Sequence, residues 1–127
     1  MRPSVISIRQ APRGWTKNSA YVYIGRERII EGVKFQGEWG NPHPVGYLCP
    51  QCSKDANQQI VHPQGRAIAF FERDLRARLA LSDPELVERL KSLDGKILVC
   101  FCKPNPCHGD VLADLCEELT QEDKNNA

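Results

Sequence analysis

Two groups of cysteine and histidine carry the residue types able to do chemistry. The first is Cys100-Phe101-Cys102-Lys103-Pro104-Asn105-Pro106-Cys107-His108-Gly109-Asp110. Strand alternation would place Cys100 and Cys102 on one face, the two prolines would turn the chain, and Cys107-His108 would open a helix. A helix start attracts anions through its dipole and unpaired N–H groups, and the same field lowers a thiol's pKa. Cys107 is therefore expected as a nucleophile and His108 as its acid/base, with Cys102 beside them. Asp110 would either cap the helix or take part. Two other uses stay open: Cys100, Cys102, Cys107 and His108 as one Cys3His metal set, or the cysteines as small buried hydrophobes.

The second group is local. His43, Cys49, Cys52 and His62 are spaced H-x5-C-x2-C-x9-H, and Cys49-Pro50-Gln51-Cys52 would be a turn presenting two thiolates to one ion. Zinc is the expected cofactor, since the surrounding segment is too polar to hold itself by packing. Six cysteines in 127 residues, in close pairs and without a visible export signal, point to metal or catalysis rather than to a disulfide framework.

The elements that must position these residues follow from patterning. Val5–Ile8 and Ala20–Ile24 read as strands, the second ending at Gly25 with Arg26 at its exit. Ile29-Ile30 and Val33–Phe35 would form a hairpin around Glu31-Gly32. Trp39-Gly40-Asn41-Pro42-His43-Pro44 must be a loop, because its prolines stop both helix and ladder. Residues 43–63 form a polar excursion without sustained period. From Gln64 a helix carries Ile68, Phe71, Leu75 and Leu79 on one face. Ser82-Asp83-Pro84-Glu85 is a capping box with proline in the first turn, opening a helix that buries Leu86, Leu90 and Leu93. Lys96–Cys102 suits a buried central strand. A last helix buries Val111, Leu112, Leu115 and Leu119, with residues 121–127 as a frayed tail. The expected fold is α/β, a small sheet with helices packed on it, in one domain over residues 1–120.

Composition narrows the class. The chain is 41% hydrophobic and 26% charged, and no apolar run approaches the roughly 20 residues of a membrane span. A cytoplasmic protein without membrane contact is expected. The net charge of +1 hides an asymmetry: residues 1–64 hold 8 Lys/Arg against 4 Asp/Glu, and residues 65–127 hold 9 against 12. The basic half suits an anionic ligand. Arg26 would supply a planar charged fork and Asn41 an orienting amide. Blander roles fall to Cys116 (core), to Trp15 and Trp39 (packing, or a stacking wall for a base), and to Arg66, Arg73, Arg76 and Arg78 (a solvated helix face).

Tyr21–Arg26, Trp39-Gly40-Asn41-Pro42 and Leu98–Leu112 together resemble domain-of-unknown-function family 4326, in order over most of the chain. The family has an aromatic after Asn-Pro where this chain has His43, and the excursion with Cys49 and Cys52 departs from its pattern. The resemblance implies a phage or prophage origin, hence the host cell's cytoplasm, and a shared site without a known activity. A fainter likeness is to family 488, also of unknown function, with a strand ending in Cys and Cys-His-Arg at a helix start. It implies that the sheet is Rossmann-like.

Two functional classes follow. In one, the chain is an enzyme acting on a nucleotide, nucleoside or related phosphorylated ligand, through Cys102, Cys107, His108 and Asp110, with Arg26 and Asn41 holding the ligand. In the other, it is a zinc-stabilised binding module for nucleic acid or a host protein.

Overall fold

The computed structural model describes residues 1–41, 50–61, 64–101 and 107–125. In chain order the strands are β1 (Ser4–Ser7), β2 (Tyr21–Tyr23), β3 (Arg28–Ile30), β4 (Val33–Phe35) and β5 (Ile97–Cys100). The helices are α1 (Pro50–Ala56), α2 (Gln64–Ala80), α3 (Pro84–Lys91) and α4 (His108–Asn125), with 3-10 turns at Ile8–Gln10 and Trp15–Lys17.

β1, β5 and β2 form a parallel sheet in that order, with β5 in the centre. Ser7 stands opposite Cys100 and Tyr23 opposite Val99. Parallel pairing therefore brings all three strand exits to one edge. The Ile24 amide extends the β2–β5 ladder by donating to the Val99 carbonyl at 3.0 Å.

The central strand is apolar throughout because both of its faces are covered. Leu98 and Cys100 point into a core shared with Ile24, Phe71 and Leu75 of α2, Leu86 and Leu90 of α3, and Val111, Leu112, Leu115 and Cys116 of α4. Val99 points the other way, into a cluster with Trp15 and Tyr23, against which Ile6, Tyr21, Ile30 and Phe35 pack. Period-two alternation along β5 thus separates a helical face from an aromatic face. The antiparallel hairpin β3–β4 turns through Glu31 and Gly32, both at positive φ (+50° and +76°), the backbone of a tight hairpin turn.

Several boundaries differ from those expected. β1 stops at Ser7, not Ile8, because the Ser7 hydroxyl accepts from the Arg9 amide while the Gln10 side chain accepts from the Ser7 amide. That reciprocal cap pulls Ile8 out of the ladder. The excursion contains a helix, α1, whose first residue is Pro50; proline lacks an N–H that a first turn would leave unused anyway. α3 is capped by Asp83, not Ser82: its carboxylate accepts from the Leu86 amide at 3.1 Å, and Ser82 sits at φ +59°. The central strand ends at Cys100, and Cys102 lies outside the described residues. α4 continues to Asn125 through most of the segment expected to fray.

Other expectations agree with the structure. Trp15 and Trp39 are buried packing residues. Arg73, Arg76 and Arg78 pair with Asp74, with Glu72 and Glu118, and with Asp83 on exposed helix surface. Among the described residues no helix is long and apolar enough to cross a membrane.

Candidate functional site

β5 ends on Cys100, and α4 begins at His108, beside the exit of β2. Gly109 makes this approach possible. A Cβ there would come within 2.5 Å of Ile24 Cδ1 and 2.9 Å of Val5 Cγ1. The first turn of α4 therefore rests directly on the sheet, and any larger residue at 109 would have to displace the Ile24 and Val5 side chains.

The close approach buries a polar cluster. Cys107 Sγ lies 3.0 Å from Cys100 Sγ and accepts from the Gly109 amide at 3.3 Å. His108 Nε2 lies 2.6 Å from the Ile24 carbonyl oxygen. A carbonyl only accepts, so Nε2 carries the proton, and in the neutral ring Nδ1 has the lone pair. Nδ1 faces Cys107 Sγ at 3.8 Å. The Phe71 ring meets the imidazole edge-on at 5.1 Å between centroids. Burial holds the His108 pKa below its ordinary range. The Ile24 and Trp39 carbonyls and the Cys100 thiol oppose that shift, and the Arg26 charge adds to it.

Asp110 acts as a cap. Its carboxylate accepts from the Cys107 amide at 3.4 Å, and its own amide donates to the Cys107 carbonyl at 3.0 Å. With the Gly109 amide on sulfur, the N–H groups of Cys107, Gly109 and Asp110 all have partners within the turn. These three N–H groups are engaged locally rather than free for a ligand anion. Cys107, expected as a nucleophile, is 1% exposed and His108 7%. As it stands, the thiol–imidazole pair is sealed and ties β2, β5 and α4 together.

Arg26 is exposed at the exit of β2, close enough for its charge to act on His108. Among the described residues it makes no ion pair. Asn41 donates to the Ala67 carbonyl of α2 at 3.0 Å, one turn before Phe71, so this bond fastens the Trp39 loop to the helix beneath the imidazole. Cys116 is fully buried, and burial raises its thiol pKa.

Of the proposed zinc set, His43, Cys49 and His62 lie outside the described residues, as does Cys102. Cys52 stands in α1, half-buried. No group of three or more His, Cys, Asp or Glu side chains is arranged to hold a metal among the described residues.

Sequence reasoning missed Phe101 and Arg28. Phe101 follows β5 and is 45% exposed, with the Arg28 guanidinium 4.2 Å above its ring. Alternation between Cys100 and Cys102 already signalled a residue on the opposite face from the cysteines. A separate groove of about 680 Å³ opens between α2, α3 and α4, lined by Leu79, Val87, Leu115 and Glu118 among others. No residue of the strand exits lines it.

Comparison with known proteins gives two matches. Over 57 residues, 45% of this chain, the sequence is 39% identical to an uncharacterized 12.4 kDa protein in the nrdA-td intergenic region of Enterobacteria phage T4. The match covers 52% of that protein, so the chain spans about half the length of this relative. No solved structure matches. The family model described as domain of unknown function (DUF4326) matches residues 7–118, taking in all three strand exits, the Trp39 loop and the Cys100–Asp110 segment, and the chain belongs to that family.

Proposed function

We propose that this protein binds a phosphorylated ligand of the nucleotide class at the carboxyl edge of its parallel sheet, with Arg26 as the charge partner. The observation carrying this reading is an exposed Arg26 that lacks an ion-pair partner among the described residues, beside the exit of β2 and within electrostatic reach of His108. Ligands of open α/β sheets sit beyond the carboxyl ends of the strands. The reading takes residues 1–120 as one domain with a Rossmann-like sheet. It places the protein in the cytoplasm, that of the host cell if phage-encoded, in keeping with the phage relative. In its enzymatic form Cys107 and His108 supply the chemistry, with Cys102 and Asp110 beside them. His108 Nδ1, 3.8 Å from Cys107 Sγ, is then the group placed to take the thiol proton. Calorimetric titration with inorganic phosphate and with nucleoside monophosphates tests the reading. Arg26→Ala should weaken binding about tenfold, as loss of a charge-assisted contact does. Equal affinity in wild type and Arg26→Ala would reject it.

A second reading concerns zinc at His43, Cys49, Cys52 and His62. It is favoured by the thin packing of the segment that carries Cys52. No described side chain from Cys52 to Val61 is buried, and closure rests on Ser53, whose hydroxyl accepts from the Ile60 amide at 2.9 Å. A bound ion would add folding energy to this segment. Elemental analysis should give about one zinc per chain, lost in Cys52→Ser; metal-free protein whose melting temperature ignores chelator would exclude it.

A further inference from the structure

We infer that Phe101 and Arg28 form a base-stacking platform at the carboxyl edge, and that the ligand is a nucleoside phosphate, either free or within an unpaired strand. This rests on the phosphate reading above and adds the base to it.

Phe101 emerges from β5 on the aromatic face. The Tyr23 ring meets it edge-on at 6.2 Å, and the Arg28 guanidinium lies over it at 4.2 Å. Tyr23 is in turn fixed by Phe35 at 5.0 Å, and Phe35 stacks on Trp15 at 5.7 Å. The exposed ring is thus the outer member of an ordered aromatic row.

A single exposed hydrophobic residue is ordinary. This one is held by two partners, of which one, Arg28, is a cation. Arg26 and Arg28 make no ion pair among the described residues, and both are exposed. Nearby Glu27 is directed to Lys34 at 3.8 Å. Arg9, also exposed, follows the exit of β1 on the same edge.

Arg28 covers one face of the Phe101 ring, and a base would stack on the outer side of this ring–guanidinium pair, because every base has a π face. A neighbouring guanidinium takes the phosphate. β2 and β5 are adjacent parallel strands, so Arg26 and Phe101 both follow strand exits on the same edge of the sheet. The stacking wall once expected at Trp15 or Trp39 therefore falls to Phe101.

The test compares ribose 5-phosphate, nucleoside 5′-monophosphates and a short single-stranded homo-oligonucleotide, using wild type, Phe101→Ala and Phe101→Tyr. The monophosphates should bind roughly tenfold more tightly than ribose 5-phosphate, in line with one stacked base. Phe101→Ala should remove that difference while leaving ribose 5-phosphate binding intact, and Phe101→Tyr, which keeps the ring, should retain it. Tighter binding of the oligonucleotide with a steeper salt dependence identifies an unpaired strand as the source; equal affinity identifies the free nucleotide. Monophosphates binding no better than ribose 5-phosphate, or a Phe101→Ala variant that keeps the difference, overturns the platform while the phosphate reading stands. Failure of all three ligands overturns both.

Discussion

His108 donates from Nε2 to the carbonyl oxygen of Ile24 across 2.6 Å, joining the start of α4 to the exit of β2. One bond thereby sets three things: the seating of the last helix, the protonation site of the imidazole and the direction of its lone pair toward Cys107.

The first prediction is a pH dependence. Burial keeps the folded-state pKa of His108 below its ordinary 6.5. Between that lowered value and 6.5 the unfolded chain binds a proton that the folded chain does not. Stability is then full above about pH 6.5 and falls as pH drops below it. The melting temperature should hold between about pH 8 and pH 7 and decline toward about pH 5. His108→Gln, which keeps a donor for Ile24, should flatten the decline. Asp83, lowered by its bond to the Leu86 amide, titrates below the ordinary value of 3.8 and so outside this window. A wild-type profile flat to pH 5 would contradict a buried neutral imidazole.

Gly109→Ala should destabilise the protein by about 1–3 kcal/mol, the usual cost of overpacking. Helix propensity alone predicts the opposite sign, a gain of roughly 1 kcal/mol. Chemical denaturation distinguishes the two, and a more stable variant would show that α4 does not rest on Ile24 and Val5.

Leu98→Ala and Leu115→Ala should each cost roughly 2–5 kcal/mol, because both residues are almost wholly buried on the helical face of the sheet. A loss under about 0.5 kcal/mol in either, well below any core truncation, would place the core elsewhere.

Cys107 and Cys116 should resist a thiol reagent in native buffer and react only as the protein unfolds, since both are buried. Their modification rates, followed by mass spectrometry of labelled peptides, should track global unfolding in denaturant. Fast native labelling of Cys107 would reveal an opening that exposes the thiol–imidazole pair.

Much of this arrangement was legible from residue order. The Leu98–Cys100 run announces a strand covered on both sides, and the stripe Val111, Leu112 and Leu115 announces the helix that covers one of them. The hairpin followed from Glu31-Gly32 between β-branched residues. What stayed hidden depended on distance in three dimensions. The strand alternation that pairs Cys100 with Cys102 does not disclose that Cys100 meets Cys107. Nor does a Gly-Asp pair disclose that glycine seats the helix on Ile24 while aspartate takes the Cys107 N–H. Phe101 was overlooked because its cysteine neighbours carried the more reactive chemistry. α1 was missed because a helix short enough to lack two turns of apolar period leaves no stripe to read.

The central claim is that the ligand sits at the carboxyl edge, and backbone amide chemical-shift mapping during a nucleoside monophosphate titration tests it most directly. The account predicts shifts concentrated at Ile24–Arg28, Phe101 and Cys107–Asp110, reduced at matched subsaturating ligand concentration in Arg26→Ala. Shifts confined to the α2–α3–α4 groove around Leu79, Val87 and Leu115, or no saturable shift at millimolar ligand, would contradict it.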